Sequence, residues 1–371
     1  MSMSNAKLKK VAAALPEKVR ELANYDLFKL GRNAQHTVQA MLQTVFEAAL
    51  NFTSIEVISD VKRDSPSADT IRGHLGWKVA LDDVENMMKD RVKWLATSVQ
   101  RKTGRTSFEV AFDWSPEMYY GRKDNPFVNG TKPQAGTCWA YEFFTVSIVA
   151  SEERLLLFAY PLYSRENLLF YIHRALLFLR ELRMFPSVLY FDRGFRSVDI
   201  FAYLKDEKIE FITPAYQDGK FERWIASAEK FPAVFNGWQM QNADGETVEI
   251  DLVVTEEFFE DNDGRMKRRF CGFFTNLPKK AYRDRPEIIA EMYSGRWGIE
   301  TAHRCEDEFR IKSTSVSGIV RYLYFVVGML VYNLWVYLNL LFCENVAEFK
   351  ITIKKDVIRL LCGRLFGKFR I

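Results

Sequence analysis

The stretch "SVLYFDRGFRSVDIFAYLKDEKIEFITPA", residues 187–215, reads as a strand, a turn, a helix and a second strand. "SVLYFD" is a short apolar strand that ends on Asp192, and Arg193-Gly194 begins the turn. "RSVDIFAYLKDEK" has helical spacing, and "IEFITPA" returns to strand texture. Upstream, "SFEVAFDW" (107–114) alternates, while "AYEFFTVSIVA" (140–150) and "ERLLLFAYPLY" (153–163) are rich in aromatic and β-branched residues. "GRKDNPFVNGTKPQAGT" (121–137) has the Gly, Pro and Asn of a loop, and "RENLLFYIHRALLFLRELR" (165–183) has helical period. Three strands, a helix, a strand, a helix and a strand predict a mixed α/β sheet.

Working outward, residues 1–100 read as helical. "QHTVQAMLQTVFEAALN" (35–51) is apolar at helical spacing, and Ser65, Ser67 and Asp69 supply N-cap chemistry for the helices that follow. Residues 216–275 break the α/β pattern. "FNGWQMQNADGETVEIDLVV" predicts a hairpin turning at Asp244-Gly245, and "EEFFEDNDGRMKRRFCGFFTNL" a second turning at Asp263-Gly264. From Pro286 onward helix dominates. These readings divide the chain into a helical N-terminal region (1–104), the first part of a core (105–215), a β-rich insertion (216–278), the rest of the core (279–343) and a basic tail (344–371).

The 371 residues, 48% hydrophobic and 15% aromatic, describe a folded protein rather than a disordered one. A formal net charge of +4 is too small to argue for a nucleic-acid partner. Its distribution says slightly more: residues 1–112 hold 17 Lys/Arg against 13 Asp/Glu, and residues 344–371 hold 7 against 3. The ends would therefore grip a polyanion more readily than the centre. Five scattered cysteines without a C-x-x-C pair or zinc spacing predict a reducing cytoplasm. "YLYFVVGMLVYNLWVYLNLLFC" (322–343) carries no charge and is long enough to span a bilayer. Asn333 and Asn339 interrupt it and its aromatics are not gathered at its ends, so a buried core helix is the expectation, with no membrane partner.

The densest chemistry is "YSGRWGIETAHRCEDEFRIKSTS", residues 293–315. As one helix, its polar face carries Arg296, Glu300, His303 or Arg304, and Asp307, while Trp297, Ile299, Cys305 and Phe309 are expected to be buried. Two motifs fail. Aligning Gly264 to the glycine of a calcium loop puts Phe259 and Phe270 at ligand positions. Glu300-x-x-His303 lacks the second Glu-x-x-His that a di-iron bundle needs. Asp113 and Asp192 are more telling, because each ends a strand of an α/β sheet, where catalytic groups gather. With Glu300 they would form a hard, oxygen-rich site suited to Mg²⁺.

An aspartate ending the first strand, "FDRGF" at the fourth, "FFTN" closing a β insertion and "YSGRWGIE" opening a helix together resemble insertion-sequence DDE transposases. The resemblance is to the branch with a Tyr-x-x-Arg-x-x-x-Glu helix after a β insertion, here Tyr293, Arg296 and Glu300, and it covers residues 60–342. It implies a ribonuclease H-like core preceded by a helical DNA-end-binding region, with Asp113, Asp192 and Glu300 holding two Mg²⁺ ions, Mn²⁺ being the possible substitute. It also implies Tyr293, Arg296 and Arg304 as DNA contacts. The partners implied are the inverted-repeat ends of a mobile element and target DNA, bound by a homodimer in a prokaryotic nucleoid. One departure stands out: the family pattern continues with Lys seven residues after Glu, and position 307 is Asp. That substitution raises the rival expectation of a catalytically impaired or domesticated DNA-binding protein, with Asp307 pairing to Arg304.

Overall fold

The computed structural model describes residues 5–62, 64–122, 124–149, 152–261 and 263–366. Five helices come first: α1 (Asn5–Ala23), α2 (Val38–Leu50), α3 (Ile55–Val61), α4 (Ala68–Lys78) and α5 (Leu81–Thr103). Thr37 and Ser67 cap α2 and α4, each side chain accepting a hydrogen bond from a backbone N–H three residues on. The strands of the core follow: β1 (Ser107–Met118), β2 (Val128–Gln134), β3 (Thr137–Ile148), β4 (Leu156–Pro161), β5 (Phe185–Phe191) and β6 (Phe211–Pro214). Helix α6 (Leu168–Glu181) joins β4 to β5, and α7 (Val198–Asp206) joins β5 to β6.

Pairing gives the core its order. β1 runs antiparallel to β3 and parallel to β5, β3 is antiparallel to β4, and β5 is parallel to β6. The five strands therefore lie as β4-β3-β1-β5-β6, with only β3 reversed. This is the ribonuclease H-like arrangement that the resemblance implies. Alternation along β1 explains the two faces: Val110 and Phe112 enter one apolar cluster, and Ala111 enters a second on the other side of the sheet.

One feature differs from the sequence expectation. Residues 128–134, read as loop, form strand β2, paired to the first half of β3. This strand lies at the sheet edge with four of its seven residues exposed and Pro133 within it, so it lacks the apolar alternation that marks a half-buried strand. The β-rich segment, expected to insert into the sheet domain, extends the core sheet. After α8 (Gly219–Ser227), strands β7 (Ala233–Gln241), β8 (Thr247–Glu260) and β9 (Met266–Thr275) form a meander in which β9 pairs antiparallel with β6. Both predicted turns are present, and Gly245 supplies the left-handed backbone (φ 85°) that the first requires.

The chain then adds α9 (Ile288–Ser294), α10 (Trp297–Glu306), α11 (Gly318–Leu341) and α12 (Lys355–Phe366). Helix α11 is long and apolar enough to cross a membrane, but 94% of its most apolar window is buried inside the protein, packed on α5, α2 and β4. Its two asparagines explain why an apolar helix tolerates them. Asn333 donates to the carbonyl of Leu156 and accepts from its N–H, covering the outer edge of β4. Asn339 accepts from the N–H groups of Thr352 and Ile353 and so fastens the following segment to the helix.

Candidate active site

The register between β1 and β5 decides the site. These parallel strands pair as far as Phe112 and Phe191, so Asp113 and Asp192 are the next residue on each of two neighbouring strands. β1 itself continues to Met118, so Asp113 marks the end of its parallel pairing and lies within the strand. Because Phe112 faces the first cluster, Asp113 points to the opposite face, which α9 and α10 cover. There the Arg296 guanidinium donates to Asp113 Oδ2 at 2.8 Å and to Glu300 Oε1 at 2.9 Å. The N–H of Trp114 donates to Asp113 Oδ1 at 2.9 Å. Burial pushes the Asp113 carboxyl up to about 6; Arg296 and the Trp114 N–H oppose that shift, and the charges of Asp192 and Glu300 reinforce it.

The segment bearing Arg296 and Glu300 is two helices, where one was expected. Between α9 and α10 the bonds run from Gly295 N to Met292 O, Arg296 N to Tyr293 O and Gly298 N to Gly295 O, each closing a three-residue step. Winding at three residues per turn adds about 20° per residue relative to an α-helix, so faces assigned from a continuous helix shift by tens of degrees. Arg296 consequently turns inward, 8% exposed, and Trp297, expected inside, stands out at 65%. Tyr293 remains half-buried, its hydroxyl donating to the Phe191 carbonyl at 3.1 Å, which ties the end of α9 to the end of β5. Burial raises its phenol well above the ordinary range.

Arg304 is exposed on α10 and has no side-chain partner among the described residues. It lines a cavity of about 420 Å³ together with Asp113, Ser115, Gln134, Glu300 and Asp307. Asp307 pairs with Arg310 at 2.9 Å, not with Arg304. Arg310 also donates to Ser115 at 2.7 Å and to Glu306 at 3.0 Å, joining the end of α10 to β1. His303 shares a 2.9 Å hydrogen bond with Thr145, whose hydroxyl also donates to the Asp113 carbonyl at 3.2 Å. Burial, reinforced by Arg310 and Arg296, pushes His303 down to about 3, so it is a neutral brace between β3 and α10. Sequence reading missed this layer, because Thr145, Ser115 and Arg310 belong to no motif and meet only through the sheet.

Glu306 beneath it is fully buried, and burial pushes its carboxyl up to about 7 against the opposing charge of Arg310. A folded-state value raised above the unfolded one contributes stability that is complete below the unfolded pKa and is lost as pH rises through the folded one. Glu306→Gln is therefore expected to flatten the fall in stability between about pH 5 and pH 8, measured as urea midpoints across that range. An unchanged pH slope would show that Glu306 is not its source.

Three carboxylates of hard oxygen chemistry are the right donors for Mg²⁺ or Mn²⁺. Two of them already share one cation, the Arg296 guanidinium, which stands in the place of positive charge between Asp113 and Glu300. Among the described residues no three metal-capable side chains converge tightly enough to hold an ion as they stand. The donor set thus fits a divalent ion, and the present spacing accommodates Arg296.

Residues 172–334 match the family model for the transposase DDE domain. The matched stretch runs from α6 into α11 and contains Asp192, Tyr293, Arg296 and Glu300. Asp113 precedes it, and only the β1–β5 register sets it beside Asp192. No curated protein sequence matches the chain. Among solved structures it is similar to the piggyBac transposase synaptic complex with hairpin DNA, at 10% identity and a TM-score of 0.48, covering 98% of this chain and 72% of that one.

Proposed function

We propose that this chain is a DNA transposase that cuts the ends of its own mobile element and joins them to target DNA by two-metal phosphoryl transfer. The observation that supports it best is the adjacency of Asp113 and Asp192 at the end of paired parallel strands, with Glu300 tied to Asp113 through Arg296. Asp113, Asp192 and Glu300 would hold Mg²⁺, with Mn²⁺ as substitute. When bound, a pair of such ions activates a water or a 3′-hydroxyl and stabilises the leaving oxygen.

The chain's own residues do the rest. Arg296 offsets the repulsion between the buried Asp113 carboxylate and the exposed Glu300 carboxylate, and with a divalent ion held there its donors would be free for a phosphate. Arg304, exposed beside the cavity, contacts the DNA backbone, and Tyr293 holds α9 against the strand end beside it. Asp307 does not present a bare negative charge to that DNA, because Arg310 neutralises it. This supports an active enzyme over an impaired relative. Helices α1–α5 would recognise the element's ends, two chains would hold two ends together, and the reaction would take place in a prokaryotic cytoplasm at the nucleoid.

The test is direct. Purified full-length chain and a DNA fragment bearing the element's inverted repeats should give strand cleavage and joining to a second DNA in Mg²⁺ or Mn²⁺, and neither with a chelator present. Cleavage that persists in the chelator removes the metal mechanism, and absence of both reactions on such a substrate removes the function.

A further inference from the structure

The separation of Asp113 and Asp192 depends on what holds the turn after β5 against β1. That turn, the 3-10 segment Arg193–Phe195, begins directly after Asp192. Its middle residue lies against the residue that follows Asp113. A Cβ built on Gly194 would come within 2.3 Å of Trp114 Cη2 and 3.0 Å of Cζ2, far inside contact distance. Gly194 has no left-handed backbone, so glycine is required there for space alone.

The indole cannot easily retreat. The Phe195 ring stacks on it at 4.9 Å and 30°, and Phe195 is itself fully buried against Phe144 and Phe191. The Arg165 guanidinium lies over the same indole at 4.9 Å. Arg165 is held in turn by both carboxylate oxygens of Glu142, a buried residue of β3 that lies opposite Pro116 of β1. A chain of contacts therefore runs from Glu142 through Arg165 and Trp114 to Gly194, one residue beyond the Asp192-Arg193 step.

We propose that Trp114 is a positioning residue that sets the spacing of Asp113 and Asp192, its indole edge gauging the turn at Gly194 and the Glu142–Arg165 pair bracing it. The inference rests on the reading of these two aspartates as ligands of one metal site. Gly194→Ala would push the turn outward and spread the pair. Trp114→Phe removes the outer ring carbons, releases the turn, and makes room for the added methyl.

The experiment measures Mn²⁺ binding to the purified full-length chain by titration calorimetry, alongside thermal melting and Mg²⁺-dependent nicking. Gly194→Ala is expected to weaken Mn²⁺ binding by about tenfold or more, the range found when a support of metal ligands is lost. Adding Trp114→Phe to it should recover most of that loss, a coupling that general destabilisation would not produce. Trp114→Phe alone should weaken binding several-fold while melting as a folded protein, and it serves if Gly194→Ala does not fold. Wild-type affinity in Gly194→Ala or in Trp114→Phe, or a double variant no better than Gly194→Ala, would overturn the proposal. Asp113→Asn is the reference. If it binds Mn²⁺ like the wild type, the metal reading itself fails and the gauge fails with it. If it loses binding while Gly194→Ala keeps it, only the gauge fails.

Discussion

Asp113→Asn is expected to abolish DNA cleavage while making the metal-free protein more stable above neutral pH. The first effect follows from the proposed metal site, which would lose a charged donor that neither Asp192 nor Glu300 can replace from its own strand or helix. The second follows from burial. Asp113 is held at about 6 in the folded chain against an ordinary 3.8, so folding favours its neutral form. Its contribution to stability is complete below the ordinary value and is lost as pH rises through the folded one. At about pH 8 the ionised carboxylate costs stability, up to roughly 3 kcal/mol for a shift of this size, which already includes the attraction of Arg296. Urea unfolding of both proteins at about pH 8 and pH 4 measures it: the asparagine variant should gain at the higher pH and not at the lower. A variant less stable at the higher pH would mean that the Arg296–Asp113 pair outweighs the desolvation. Near-wild-type cleavage would remove Asp113 from the site.

The second large effect concerns the core. Asn333→Leu makes α11 more uniformly apolar, yet it is expected to destabilise the fold by about 2–5 kcal/mol. Asn333 is fully buried, and its amide satisfies both the N–H and the carbonyl of Leu156 at 2.9 and 2.7 Å. Leucine would leave both backbone groups of a sheet-edge residue without partners in a dry interior, and the gain from its apolar surface does not cover two such losses. Denaturant titration of wild type and variant gives the difference directly. Unchanged stability would mean that water or a shifted β4 edge satisfies Leu156 instead.

The two asparagines show how much was legible in advance. They argue from sequence against a membrane span, and the structure supplies the reason: each hydrogen-bonds backbone that lies beside α11 in space. Trp297 shows the opposite. A helical wheel drawn through residues 293–309 buries it, because the wheel assumes uniform winding, and the tight turn at Gly295 violates that assumption without any sequence signal beyond the glycine itself. β2 was missed for a different reason: an exposed edge strand needs no apolar face.

The apolar alternation of β1, the strand-helix-strand order of residues 187–215 and the two hairpin turns are local properties. Side-chain period and turn chemistry act over a few residues, so the sequence alone determines them. Those features predicted a mixed α/β sheet and nominated Asp113, Asp192 and Glu300, while the ribonuclease H-like core came from the resemblance that the motifs carry. Only the tertiary structure decided that β1 and β5 are parallel neighbours whose pairing ends at Phe112 and Phe191, which brings residues 113 and 192 side by side. It also decided that Arg296 turns inward to bridge two carboxylates, and that Glu142, Arg165, Trp114 and Gly194 press in series on the turn after Asp192. These contacts join residues from different strands, helices and turns, and no local period carries information about which distant partner a side chain will meet.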